Sequence, residues 1–168
     1  MNPLLVNVAE LLRRPGNEKQ VDAVLTAEEL ALSEPRIAPD ADVAVSAHLA
    51  SMTDGIVVTA RLSVPWQDTC RRCLAELDET VDTTVHELYQ VLVTADDAFP
   101  IIGEQIDLTQ MVRESIILEL PLAPLCRADC AGICPVCGVN SNDHPCSCDV
   151  AVTDERWAAL DALREQLN

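Results

Sequence analysis

Eight cysteines in 168 residues, six of them crowded between Pro121 and Asp149, constrain this chain more than any other feature. Their order is Cys70-x2-Cys73, then Cys126-x3-Cys130-x3-Cys134-x2-Cys137-x8-Cys146-x-Cys148. A Cys-x2-Cys knuckle presents two thiolates on one side of a tight turn, at about the separation a tetrahedral Zn2+ requires. Backbone N–H groups of the same turn can donate to the sulfurs and spread their charge. In Cys134-Pro135-Val136-Cys137-Gly138, the proline restricts the turn and the glycine permits a left-handed residue after it. In Cys70-Arg71-Arg72-Cys73, two arginines partly offset the thiolate charge.

Eight cysteines make two four-ligand sites with none left over, so two Zn2+ per chain are expected. Closing a short loop costs less entropy than closing a long one. That favours Cys134, Cys137, Cys146 and Cys148 as a local site, leaving Cys126 and Cys130 to meet Cys70 and Cys73. The rival partition joins Cys70/Cys73 with Cys134/Cys137 as a zinc ribbon. Thiolates alone do not choose zinc over iron–sulfur, so a redox protein stays open as an alternative. The Cys130-x3-Cys134-x2-Cys137 triplet has the spacing of radical enzymes that use S-adenosylmethionine. Those enzymes place it near the start of a large barrel, whereas about 30 residues follow it here.

The rest of the chain reads as α+β: an antiparallel β-meander with a few flanking helices and a C-terminal cysteine-rich metal-binding segment. Asn7 and Glu10 form a capping-box pattern that opens a helix over 8–14, closed by Pro15-Gly16. Residues 20–25 read as a strand and 26–32 as a helical turn. Val43, Val45 and Leu49 share one face, with Ala47 between them. Ile56, Val58, Ala60, Leu62 and Val64 share another, with Val57, Thr59, Arg61 and Ser63 opposite, and Asp54-Gly55 between the segments is a hairpin signal. A third strand is expected over 79–91 and a loop over 94–103. Asp107 caps a helix carrying Leu108, Met111, Val112 and Ile116, which Pro121 ends. Thr153 caps a last helix with Trp157, Leu160, Leu163 and Leu167 inward. The expected organisation is 1–121 with the first knuckle, 122–149 as the zinc segment and 150–168 as a C-terminal helix, together one cooperative domain.

Only four residues are aromatic, Trp66, Trp157, Tyr89 and Phe99, so the core is light and benefits from a staple. The formal net charge of −17 disfavours nonspecific contact with nucleic acid and suits a basic protein partner. The N-terminus lacks a secretory pattern and no apolar run reaches about 18 residues, so a cytoplasmic protein without a membrane span is expected, where thiols stay reduced. His48 and His86 read as surface strand residues and His144 as a loop residue. The pattern of a zinc deaminase is absent: His86-Glu87-Leu88 is not His-x-Glu, and Pro135 follows Cys134 rather than preceding it. With no nucleophile triad, phosphate loop or serine elbow either, no catalytic residue is assigned and a non-enzymatic protein is expected.

Several segments together resemble the YceD family. They are Asn7-Val8-Ala9-Glu10-Leu11-Leu12 with Arg14-Pro15-Gly16, Cys70-Arg71-Arg72-Cys73, Gly103-Glu104-Gln105-Ile106-Asp107-Leu108, Glu114-x4-Glu119-Leu120-Pro121, and Cys130-Ala131-Gly132-Ile133-Cys134-Pro135-Val136-Cys137-Gly138. The last looks like the version of the family with a full cysteine-rich tail. Shorter members keep the first knuckle and liganding residues near Cys126 and Cys130, which agrees with the short-loop partition. The resemblance implies a role in accumulation, processing or stability of large-subunit ribosomal RNA. It also implies a neighbouring gene for a small, basic, zinc-ribbon ribosomal protein. A basic large-subunit ribosomal protein or a pre-ribosomal particle is therefore the expected partner, with a ribosomal RNA processing enzyme as the competing function. Asn140-Ser141-Asn142-Asp143-His144 departs from the Leu-Asn pair more usual in relatives.

Overall fold

The computed structural model describes residues 2–94, 98–144 and 146–149. The helix expected from Thr153 onward lies outside the described residues. By contact the chain divides into two units, one of residues 1–68 and 76–122, the other of 69–75 and 123–168. The knuckle of Cys70 and Cys73, grouped by the sequence with residues 1–121, clusters here with the cysteine-rich tail.

The first unit is mostly sheet. Strands β1 (Leu5–Asn7), β2 (Glu18–Thr26), β3 (Asp42–Ser51), β4 (Ile56–Thr69), β5 (Glu76–Gln90), β6 (Phe99–Pro100) and β7 (Gln105–Asp107) accompany two helices, α1 (Ala9–Arg13) and α2 (Thr109–Glu119). Five strands form one sheet in the order β2-β3-β4-β5-β6, and β1 pairs with β7. The β2–β3 and β3–β4 pairs are antiparallel, with Val21 opposite Ala47 and Ala47 opposite Ala60. Alternation decides the buried face: Val43, Val45, Ala47 and Leu49 of β3 and Ile56, Val58, Ala60, Leu62, Val64 and Trp66 of β4 are all buried. On α2, Met111, Val112 and Ile116 are buried, and the helix packs against β5.

Two local expectations change. Residues 94–103 are not wholly loop, because Phe99 and Pro100 pair in parallel with Tyr89 and Gln90 of β5, and Phe99 stacks on Tyr89 at 5.1 Å between ring centroids. Asn7 does not build a capping box. Its Oδ1 accepts from the Ala9 N–H at 3.1 Å, and Val8 is the residue at the helix start. Asp107 repeats that turn at α2, accepting from Thr109 N–H at 2.9 Å. The reciprocal box forms instead at Thr26 and Glu29, where Thr26 N–H donates to the Glu29 carboxylate at 2.8 Å and Glu29 N–H donates to Thr26 Oγ1 at 3.2 Å.

Candidate metal centres

The six-residue turn 70–75 joins β4 to β5 and carries the first knuckle. Leu74 N–H donates to Cys70 O at 2.9 Å and Cys70 N–H to Ala75 O at 2.8 Å. The second knuckle repeats this plan residue for residue. Gly138 N–H donates to Cys134 O at 2.8 Å and Cys134 N–H to Val139 O at 2.8 Å. In both, the residue after the second cysteine is left-handed: Leu74 with φ 60° and Gly138 with φ 73°. The repeated bonds leave the N–H groups of Arg72 and Cys73 to donate to the Cys70 sulfur, and those of Val136 and Cys137 to the Cys134 sulfur.

The thiols gather in two quartets, Cys70/Cys73/Cys126/Cys130 and Cys134/Cys137/Cys146/Cys148, with the sulfurs of each within 4.8 Å of one another. Cys134 and Cys137 thus sit with Cys146 and Cys148, not with the first knuckle as a ribbon would have them. In the first quartet, Cys70 Sγ lies 3.8 Å from Cys130 Sγ, and Cys73 Sγ 3.6 Å from Cys126 Sγ. A tetrahedral ion with metal–sulfur bonds near 2.3 Å needs sulfurs about 3.8 Å apart. A multi-iron cluster interposes further iron and sulfide, so thiolates on different irons must stand further apart than those on a single ion. Each quartet is therefore sized for one ion.

The packing of the second unit points the same way. Among its described residues, the buried side chains are those of Cys70, Cys73, Cys130 and Cys134, together with Pro124. Among these described residues the thiols supply most of the buried side chains, and two quartets of them can hold metal ions that tie the segments together.

Electrostatics divides each set of thiols. Backbone N–H donation from Cys126 and Cys73 holds the Cys70 thiol down to about 6. Hydrogen bonding with Cys73, then desolvation, pushes Cys126 up to about 12. The second quartet repeats the split: Cys134 is held to about 6 by the N–H groups of Cys137 and Val136. Cys148 is pushed to about 12 by hydrogen bonding with Cys137 and by burial. One thiolate facing amides is favoured and its charge discourages the next; a divalent cation lifts that restraint, since a coordinating thiol ionises outright.

Neighbouring residues fix the first quartet. Arg72 Nη1 donates to Cys130 O at 2.9 Å, and Arg72 O accepts from Ile133 N–H at 3.0 Å. Gly132 follows Cys130 with φ +76°, and a Cβ there would stand 3.0 Å from Arg72 O. Asn142 Nδ2 donates to Cys130 Sγ at 3.3 Å. Neither Asn142 nor the left-handed Leu74 stands out in the sequence. The matching offsets of Leu74 and Gly138 from their knuckles were the available signal for the second. The histidines stay outside both quartets: His48 pairs with Glu18 at 3.1 Å, His86 Nδ1 lies 3.0 Å from Thr59 Oγ1, and His144 is exposed.

A family model described as large ribosomal RNA subunit accumulation protein YceD matches residues 58–164, a span containing all eight cysteines. The chain belongs to the YceD family. An uncharacterized protein of Mycobacterium tuberculosis is 32% identical, with 95% of this YceD chain and 80% of that protein aligned. An uncharacterized protein of Mycobacterium leprae is 27% identical over 83% of this chain and 68% of its own length. A chloroplastic large ribosomal RNA subunit accumulation protein, YCED homolog 1 of Arabidopsis thaliana, is 33% identical over 41% of this chain and 22% of its own. No solved structure matches the chain. No helix among the described residues is long and apolar enough to cross a membrane.

Proposed function

We propose that this YceD protein is a non-enzymatic zinc-binding factor. It supports large-subunit ribosomal RNA accumulation and ribosome assembly by binding a basic ribosomal protein or precursor particle in the cytoplasm. The family match carries the reading, and two supports stand beside it. The quartets are all-thiol and sized for one tetrahedral ion each, the donor set of structural zinc. Charge is also unevenly placed: 21 of the 28 acidic residues but only six of the 11 basic ones belong to the first unit. An acidic β-domain of this kind attracts a basic partner over a range that salt shortens, which speeds encounter more than it raises final affinity.

The test is a pull-down with the metal-loaded full chain at low salt, with bound RNA and protein identified. Large-subunit ribosomal proteins or precursor particles should be recovered, and recovery should fall as salt rises. Recovery of neither, at any salt, overturns the ribosomal reading. Elemental mass spectrometry of the same sample decides the metal; two zinc per chain are expected.

A further inference from the structure

We infer that the two metal centres are coupled, and that Asn142, borne on the loop spanning the second quartet, is a positioning residue for the first. The inference rests on the reading of both quartets as metal sites and goes beyond it in assigning a dependence between them.

The loop between Cys137 and Cys146 closes the second quartet, yet its first half folds back on the segment that leaves Cys130. Asn140 bridges Ile133, and Ser141 N–H donates to Gly132 O at 2.8 Å. Those contacts deliver Asn142 to the first quartet. Its Oδ1 accepts from Arg127 Nη2 and from Ala131 N–H, both at 2.8 Å. With both lone pairs committed to donors, the amide can face the sulfur only with its NH2. One N–H then reaches Cys130 Sγ at 3.3 Å and the other Asn140 Oδ1 at 2.7 Å. Every hydrogen-bonding position of the side chain is used, and no other residue type of this size supplies two donors and two acceptors in this arrangement. Aspartate would bring a negative charge to a thiolate, and an aliphatic residue would leave Arg127 and Ala131 unanswered.

An N–H donated to a metal-bound thiolate stabilises the ligand's charge and orientation, and removing such a partner weakens metal binding by about 10–100-fold. Asn142 holds its place only while the loop holds its course, and an ion at the second quartet clamps both ends of that loop. Loading the second quartet therefore lowers the entropy cost of presenting Asn142 to the first. By linkage the reverse is also true: an ion at the first quartet favours loading of the second.

The experiment uses the full chain loaded with 113Cd, following release of each ion to a chromogenic chelator and the two 113Cd resonances by NMR. The variant C146A/C148A, which keeps only the first quartet intact, identifies that quartet's resonance. N142A is expected to shift that resonance and to speed release from the first quartet about tenfold. N142D should speed it further. C146A/C148A should accelerate release from the first quartet to a similar extent, and adding N142A to it should bring little more. Unchanged release from the first quartet in N142A overturns the inference while leaving two metal sites standing. A chain that retains no metal overturns the metal reading and the inference together. If C146A/C148A does not fold, stepwise 113Cd loading decides instead: the two resonances should grow together in the native chain and separately in N142A, and independent filling in the native chain overturns the coupling.

Discussion

The two quartets are built on the same knuckle and closed in different ways. Both knuckles make the same pair of backbone hydrogen bonds at 2.8–2.9 Å. The first then recruits Cys126 and Cys130, more than 50 residues further on, and three of its four cysteines are buried. The second closes between Cys134 and Cys148, with only Cys134 buried. One site unites segments that nothing in the local sequence would bring together; the other organises its own loop. The difference teaches that identical local geometry carries different structural weight according to the length of chain it closes.

Removing one ligand from each quartet should separate them by the widest margin. Structural zinc binding is worth on the order of 10 kcal/mol, and where the ion joins segments that are distant in the chain that energy is folding energy. The first-quartet variant C130A should lose one metal and, with it, hydrogen-exchange protection across both 69–75 and 123–134, a loss of several kcal/mol. The second-quartet variant C146A should also lose one metal but keep most of its protection over 69–75, giving up only the roughly tenfold that the coupling supplies. Native mass spectrometry and hydrogen exchange on the same samples check both. Equal loss of protection over 69–75 in the two variants would erase the contrast between a long-range clamp and a local module.

A smaller effect is expected at Gly132, which has no counterpart in the second quartet. Its φ of +76° already disfavours a side chain by about 1–2 kcal/mol. The contact that a Cβ would make with Arg72 O adds to this, and that carbonyl is held in place by Ile133 N–H. G132A should therefore cost about 2 kcal/mol in thermal or chemical unfolding of the metal-loaded protein. It should hasten metal release from the first quartet more than from the second. A variant that melts with the native protein would mean that the segment after Cys130 is free to move away from Arg72.

Period and punctuation made the large strands legible. The alternation at Val43–Leu49 and Ile56–Val64, with Asp54-Gly55 between, marks β3 and β4. The run Leu108, Met111, Val112 and Ile116 marks α2. What escaped was short or depended on distant partners. Strands β1 and β7 have three residues each and exist because they pair with each other across 100 residues. Phe99–Pro100 joins the sheet through Tyr89, a parallel pairing that no local pattern announces. The capping box read at Asn7 does not form, whereas Thr26, read only as the start of a helical turn, exchanges hydrogen bonds with Glu29 three residues on. At the metal centres, loop-closure entropy pointed toward the quartets, because cysteine spacing is explicit in a sequence. Asn142 was illegible because its role is set by four partners, three of which, Arg127, Cys130 and Ala131, lie more than ten residues away.

The finest distinction between the knuckles is the residue that turns left-handed after each. Gly138 takes φ 73° without a Cβ to strain, whereas Leu74 takes φ 60° with one. A left-handed L-residue costs roughly 1–2 kcal/mol. Leu74 is 61% exposed and recovers little of that through packing. Replacing it by glycine removes the strain but enlarges the unfolded ensemble, an opposing cost of about 0.5–1 kcal/mol. The balance favours L74G by about 0.5 kcal/mol, visible as a small rise in melting temperature with metal stoichiometry unchanged. The reverse substitution, G138L, should lower stability by about 0.5 kcal/mol, the same balance of strain and unfolded-state entropy with its sign reversed. If L74G instead melts lower, the leucine side chain is held by contacts worth more than its strain. The first knuckle would then differ from the second in its surface as well as in its reach.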